Sequence, residues 1–163
     1  ELGLEGPELD AASFAALFHD VGKLGVSDSV LLKRGPLNEA DWWEIRQHPE
    51  AGEKIIAHLG FLVDSTPAIR HHHERFDGTG YPDGLRGEEI PISARILHVA
   101  DALDSMLSSR VYRPALPLEH ALDELAQGRG SQFCPSCVNA LSRAIAARVL
   151  DDVLASYRTE VAA

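Results

Sequence analysis

Three consecutive imidazoles, His71, His72 and His73, run into Glu74 and then into a turn-forming stretch, Asp77-Gly78-Thr79-Gly80-Tyr81-Pro82. Each neutral imidazole offers a nitrogen to a divalent ion, so such a run suits a metal site better than a core. Further residues of the right type lie elsewhere: His19 beside Asp20, then His48 and Asp101. Neighbours on a helix point about 100° apart, so His19 and Asp20 can serve two different ions, or the carboxylate can bridge two. Asp101 stands between Ala100 and Ala102, an apolar setting in which an unpaired carboxylate is costly. A metal would explain it. The nitrogen and oxygen set His19, Asp20, His48, His72, His73 and Asp101 suits iron, manganese, zinc or cobalt better than calcium or copper(I).

The elements that must position these groups read as helices. Phe14, Ala15, Leu17 and Phe18 fall at helical spacing in a segment from Ala11 to about Val21, broken by Gly22 and Gly25. Asn38 ahead of Glu39-Ala40-Asp41 is an N-cap signal for a helix carrying Trp42, Trp43, Ile45 and Arg46. Pro49 suits the start of the next helix, to His58, and Ser65 or Thr66 with Pro67 starts the one that delivers His71 to Glu74. The glycine-rich stretch from Gly78 to Gly87 is a shaped loop. Ile96, Val99, Ala100, Leu103 and Leu107 share one face of a helix after Pro91. A helix from Pro117 to Ala126 follows, then a last one from Pro135 past Leu150. With no alternating strand pattern, the expected fold class is an all-α bundle.

At 163 residues and 45% apolar composition the chain can bury one domain's core. Fifteen basic against 25 acidic residues, a formal net charge of -10, argue against general nucleic-acid binding. Neither a membrane-spanning run nor a signal-peptide pattern is seen, so no membrane contact is expected of this segment. Two cysteines, Cys134 and Cys137, are too few for a disulfide framework and fit a reducing cytoplasm. Opening on Glu-Leu-Gly-Leu, the chain reads as a single domain over residues 1–163 cut from a longer polypeptide.

With these residues in view, the chain resembles the HD-GYP domains of the HD phosphohydrolase superfamily over nearly its whole length. His19-Asp20-Val21-Gly22-Lys23 is similar to the HDxGK signature, and His48-Pro49-Glu50-Ala51-Gly52 to the HPxxG element. His72-His73-Glu74 through Asp77-Gly78-Thr79-Gly80-Tyr81-Pro82 resembles HHExxDGxGYP. Ala94-Arg95-Ile96 with Val99-Ala100-Asp101 resembles ARIxxVAD, and Arg110-Val111-Tyr112-Arg113 resembles RPYR.

The resemblance implies an HD-domain helical bundle that holds two, sometimes three, divalent ions, most often iron or manganese, and hydrolyses cyclic di-GMP to the linear dinucleotide and often on to GMP. It implies the six ligands named above, with Asp20 bridging, and places Lys23, Tyr81, Arg110 and Arg113 against the substrate. It also implies a regulated parent protein, with a homodimer, a sensor or receiver domain, or a diguanylate cyclase as partner. A paired metal site can activate water at neutral pH and stabilise charge on phosphoryl oxygens. Lys23, one helical turn from Asp20, adds a point charge, and Arg110 and Arg113 add donors to a protein of net negative charge.

The match departs from the family at Phe76 for Trp, Val111 for Pro and Cys134 for Asp, and the family's additional ligand from a helix upstream of the HD motif has no counterpart. The alternative reading is a degenerate module that binds the messenger or a partner without turnover; a third is hydrolysis of another nucleotide. His58, His98 and His120 read as solvated or half-buried, His71 as supporting or surface, and Glu74 as a ligand or a hydrogen-bond partner of the loop. One of Trp42 and Trp43 is expected in the core and the other on the surface. Cys134-Pro135-Ser136-Cys137 has CxxC spacing without the second pair a zinc site needs.

Overall fold

The computed structural model describes residues 1–109 and 114–160, with side chains described as far as residue 157. Helix α1, Gly6–Phe18, carries Pro7 in its first turn and starts five residues ahead of the expected Ala11. It ends at Phe18, and Val21–Gly25 forms a tighter 3-10 turn. A single short turn, α2 (Asp28–Leu31), precedes α3 (Glu39–Ile45). Asn38 caps α3 as expected, through a reciprocal pair: its side chain accepts the Asp41 N–H at 2.9 Å, and Asp41 accepts the Asn38 N–H at 2.8 Å. Prolines sit in the first turns of α4 (His48–Ala57) and α5 (Thr66–His71), and the 3-10 segment Gly60–Ser65 joins the two.

Helix α6, Ile92–Leu107, follows the glycine-rich loop and is the longest helix among the described residues. Its first half gives Ala94 and Leu97 to a core shared with Ala15 of α1, Ile56 of α4 and Ala68 and Ile69 of α5. Its second half gives Val99, Leu103 and Leu107 to another core, built with Ala121 and Leu125 of α7 (Leu118–Gln127) and Val138 of α8 (Pro135–Ala146). Each fully buried Ile or Leu contributes about 1.5–3 kcal/mol relative to exposure, so these two clusters hold the bundle. Among the described residues there is no strand, in keeping with the all-α expectation, and no helix long and apolar enough to cross a membrane.

Two expectations need correction. The last helix does not run on from Pro135 past Leu150: α8 stops at Ala146, and α9 occupies Asp151–Glu160. Arg148 adopts a left-handed conformation, φ 62°, and the Val149 and Arg148 N–H groups bond back to the Ala144 and Ile145 carbonyls. That is the reciprocal C-terminal closure usually made with glycine; here the Arg148 guanidinium reaches Asp151 at 2.6 Å instead. The second concerns Trp42 and Trp43, which are 46% and 68% exposed, so neither is a core residue. Phe14 and Leu17 are likewise exposed although their spacing follows the buried Ala15.

Candidate metal centre

The putting-together of the site is done by helix ends. His19 caps the C-terminus of α1 and Asp20 opens the 3-10 turn behind it; His48 is the first residue of α4; His72 caps the C-terminus of α5, with His73 next. Asp101 comes from the middle of α6. Gly22 lets the turn approach α4 so closely that a methyl group at its Cβ position would lie 1.9 Å from the His48 carbonyl oxygen and 2.5 Å from the Gly52 nitrogen.

Three of the imidazoles are held alike. Nδ1 of His19, His48 and His72 lies 2.9, 2.7 and 2.7 Å from the carbonyl oxygen three residues earlier, of Ala16, Ile45 and Ile69 respectively. A carbonyl only accepts, so each Nδ1 carries the proton and each Nε2 is left with a bare lone pair. Nε2 of His48 and Nε2 of His72 then face each other at 3.3 Å, in side chains only 1% exposed. Two lone pairs aimed at one another repel unless a cation lies between them, so the donor set fits a metal ion. His73 completes a trio whose ligand atoms lie within 4.8 Å of one another.

Asp20 presents its two oxygens to two histidines: Oδ1 lies 3.4 Å from His48 Nε2, and Oδ2 lies 3.5 Å from His19 Nε2. Lys23 Nζ donates to Oδ2 at 2.6 Å. Burial works against ionisation of Asp20, but the Lys23 hydrogen bond and charge and the imidazoles outweigh it and hold the carboxyl below its usual range. His19 Nε2 is 3.9 Å from Asp101 Oδ1, which ties the α6 carboxylate to the same centre.

Desolvation lowers the His48 pKa, depresses His72 to about 3 and moves His73 in the same direction. The neutral, ligating form is therefore the native one. An unfolded chain takes up protons at the ordinary histidine value while the folded site resists, so acid favours unfolding. For the metal-free protein, the denaturant midpoint should fall steadily as pH drops from 7 towards 4. A flat midpoint over that range would show that these rings do not stay neutral on folding.

The glycine-rich loop is braced against this centre by Glu74, which is buried and whose Oε1 accepts the Asp83 and Gly84 N–H groups at 2.7 and 3.0 Å. Of its two expected roles, the hydrogen-bond role to the loop is the one the geometry supports. Asp77 binds Arg75 and the Thr79 amide and hydroxyl, and these hydrogen bonds, Arg75 first, hold its carboxyl well below the ordinary range. His71 turns away from the cluster, its Nδ1 3.5 Å from Asp83 and 3.8 Å from Glu74. His71, Glu74 and Asp83 form a second group of metal-ligand types, but Arg70 already supplies the cation, through two 2.8 Å bonds to Asp83 and one of 2.7 Å to Glu53. Glu74→Ala strands two loop amides and should lose about 2–4 kcal/mol of stability by denaturant titration. Glu74→Gln keeps an acceptor oxygen and should lose less; equal losses would remove the bracing role.

Two cavities meet at the centre. One, of about 780 Å³, is lined by Asp20, Lys23, His48 and Trp42, and the other, of about 450 Å³, by Arg46, Arg75, His98 and Gln132. His73, Tyr81, Asp101 and Ser105 line both. The Tyr81 ring stacks on His73, centroids 4.9 Å apart at 28°. Lys23 and Tyr81 thus stand beside the six expected ligands, whereas Arg110 and Arg113 lie outside the described residues. Sequence reasoning missed Arg46, Gln132 and His98 as site residues. His98 is partly buried, edge-on to Phe133, 3.4 Å from Gln132 Nε2, with an unpartnered buried Nδ1. No motif surrounds these three; only their place on the cavity that His73 and Tyr81 also line marks them.

Residues 1–137 match the HD domain family. The chain is 44% identical over 146 residues, 88% of its length, to a Xanthomonas campestris protein named cyclic di-GMP phosphodiesterase response regulator RpfG, of which the match covers 38%. It is 42% identical over 133 residues, 77% of its length, to a Vibrio cholerae protein named cyclic di-GMP phosphodiesterase, of which the match covers 27%. The chain therefore spans well under half the length of these relatives. In fold it is similar to a crystal structure of a cyclic GMP-AMP specific phosphodiesterase of Vibrio cholerae, with a TM-score of 0.72 and 23% identity, over 96% of this chain and 44% of that one.

Proposed function

Since the chain belongs to the HD domain family, and its motifs place it in the HD-GYP branch, we propose that it is a metal-dependent phosphodiesterase that hydrolyses cyclic di-GMP to the linear dinucleotide or GMP. The observation that carries this reading is the meeting of the His48 and His72 lone pairs at 3.3 Å beside a carboxylate that faces two histidines. His19, Asp20, His48, His72, His73 and Asp101 would hold two or three ions, iron or manganese, with Asp20 between two of them. Bound there, such ions supply Lewis acidity towards a phosphodiester and an activated water.

The chain's own residues do the rest. Lys23, fixed by its bond to Asp20, places positive charge at the edge of the larger cavity, where a phosphoryl oxygen gains charge during the reaction. Tyr81 forms a wall common to both cavities, and the Glu74-braced loop keeps that wall in place. Burial of His48, His72 and His73 keeps their nitrogens neutral and available. The two cavities, which share His73, Tyr81 and Asp101 in their lining, suit the two halves of a dinucleotide around one scissile phosphate.

The names of the relatives favour turnover over binding alone. Within this proposal the chain is one catalytic domain of a longer cytoplasmic regulator, acting with a sensory domain, as a homodimer, or with a diguanylate cyclase. The test is hydrolysis of cyclic di-GMP by protein purified without oxygen and supplied with iron(II) or manganese(II). Conversion to linear dinucleotide or GMP is expected, and intact cyclic di-GMP with a fully metal-loaded protein would overturn the proposal.

A further inference from the structure

Arg46, at the C-terminal end of α3, is a cation with no assigned task at the mouth of the smaller cavity. Its guanidinium carbon lies 5.5 Å from the centre of the Tyr81 ring and 6.0 Å from that of Trp42. Tyr81 in turn stacks on His73, so Arg46 stands two layers out from the ligand cluster. Among the described residues no carboxylate lies within ion-pair distance of it, whereas Arg70, Arg75, Arg143 and Arg148 each have one. A guanidinium held over an aromatic face keeps its N–H edge free for a planar partner. Trp42, 46% exposed, makes little sense as core but makes sense as the second face that steadies this side chain.

We propose that Arg46 reads the base of the bound nucleotide and selects guanine over adenine, an inference that rests on the reading of the cluster as a cyclic-dinucleotide site. Arg46 lines the same cavity as His73 and Asp101, and a base joined through one ribose to a phosphate at the cluster would enter that cavity. Guanine shows two adjacent acceptors, O6 and N7, to a donor-only fork; adenine shows one acceptor and one amino donor. The fork therefore makes two bonds with guanine, whereas adenine offers one bond and a donor-to-donor clash. Gln132, on the same cavity, has both donors and acceptors and cannot by itself discriminate in this way.

The experiment measures Kd by calorimetry for GMP and AMP on the manganese-loaded full chain, and kcat/KM for cyclic di-GMP and cyclic di-AMP, for wild type, Arg46→Ala and Arg46→Met. Methionine keeps an apolar cover over Tyr81 without any donor. Wild type should prefer guanine by about 10- to 100-fold. Both variants should bring the two bases to within about threefold of each other, through loss on the guanine side. Wild type that binds neither nucleotide, or both equally, overturns the inference. So does a variant pair that keeps the preference, or that loses guanine and adenine by equal factors, which would make Arg46 a phosphate contact. Absence of hydrolysis with guanine-selective binding abolished in Arg46→Ala would sink the phosphodiesterase reading alone and uphold the role of Arg46.

Discussion

His72→Ala should lose bound metal, measured as ions per chain after anaerobic purification, and with it, under the proposed function, about a thousandfold or more of the cyclic di-GMP hydrolysis rate, since metal stabilisation of a phosphoryl transition state is worth several kcal/mol. The expectation follows from geometry. Nε2 of His72 is 3.3 Å from Nε2 of His48, and both rings are turned by backbone carbonyls so that only lone pairs face inward. Alanine removes one of those lone pairs and leaves the other without a counterpart. His71→Ala is the comparison one residue away. Its ring faces Asp83 and Glu74, so that variant should keep its metal. Equal metal content in His72→Ala and wild type, or equal loss in the two variants, would contradict the arrangement described above.

Gly22→Ala should unfold or severely destabilise the protein, by about 4 kcal/mol or more, a sizeable share of the 5–15 kcal/mol by which domains are stable. The new methyl group would sit 1.9 Å from the His48 carbonyl oxygen and 2.5 Å from the Gly52 nitrogen, both backbone atoms that cannot rotate aside. Relief requires the Val21–Gly25 turn to move off α4, which also pulls Asp20 away from His48. Thermal or denaturant unfolding measures the loss. Gly25→Ala, where nothing lies within 4 Å of the added carbon, should change little and serves as the control. Comparable stabilities for the two variants would mean that the turn and α4 are not packed as described.

The centre was legible in the sequence because all of its expected ligands but Asp101 sit at or beside helix ends, and helix ends carry local signals. Gly22 behind His19 and Asp20, Pro49 behind His48, and Pro67 before His72 each mark a boundary that packing then leaves in place. The Asn38 cap was readable for the same reason, since capping is settled within four residues. The stop at Ala146 was not, because the residue in the left-handed position is Arg148 rather than glycine and its support, Asp151, lies further along. Arg46 and His98 were not legible either. Their significance depends on which element stands opposite, Tyr81 in one case and Gln132 with Phe133 in the other, and periodicity says nothing about that. The exposure of Phe14, Leu17 and the two tryptophans has the same origin: apolar spacing marks a face without telling what covers it.

Helix α6 places Ala94 and Leu97 in one apolar cluster and Val99, Leu103 and Leu107 in the other, with Asp101 between Val99 and Leu103. A rod anchored at both ends in separate cores cannot leave one without loosening the other, so neither half of the bundle can melt by itself. The amide protons at the middle of this rod should be the last in the protein to exchange with deuterium, and they should do so only when the whole molecule opens. The carboxylate carried there is thus tied to the most persistent stretch of backbone, and its side of the site keeps its register.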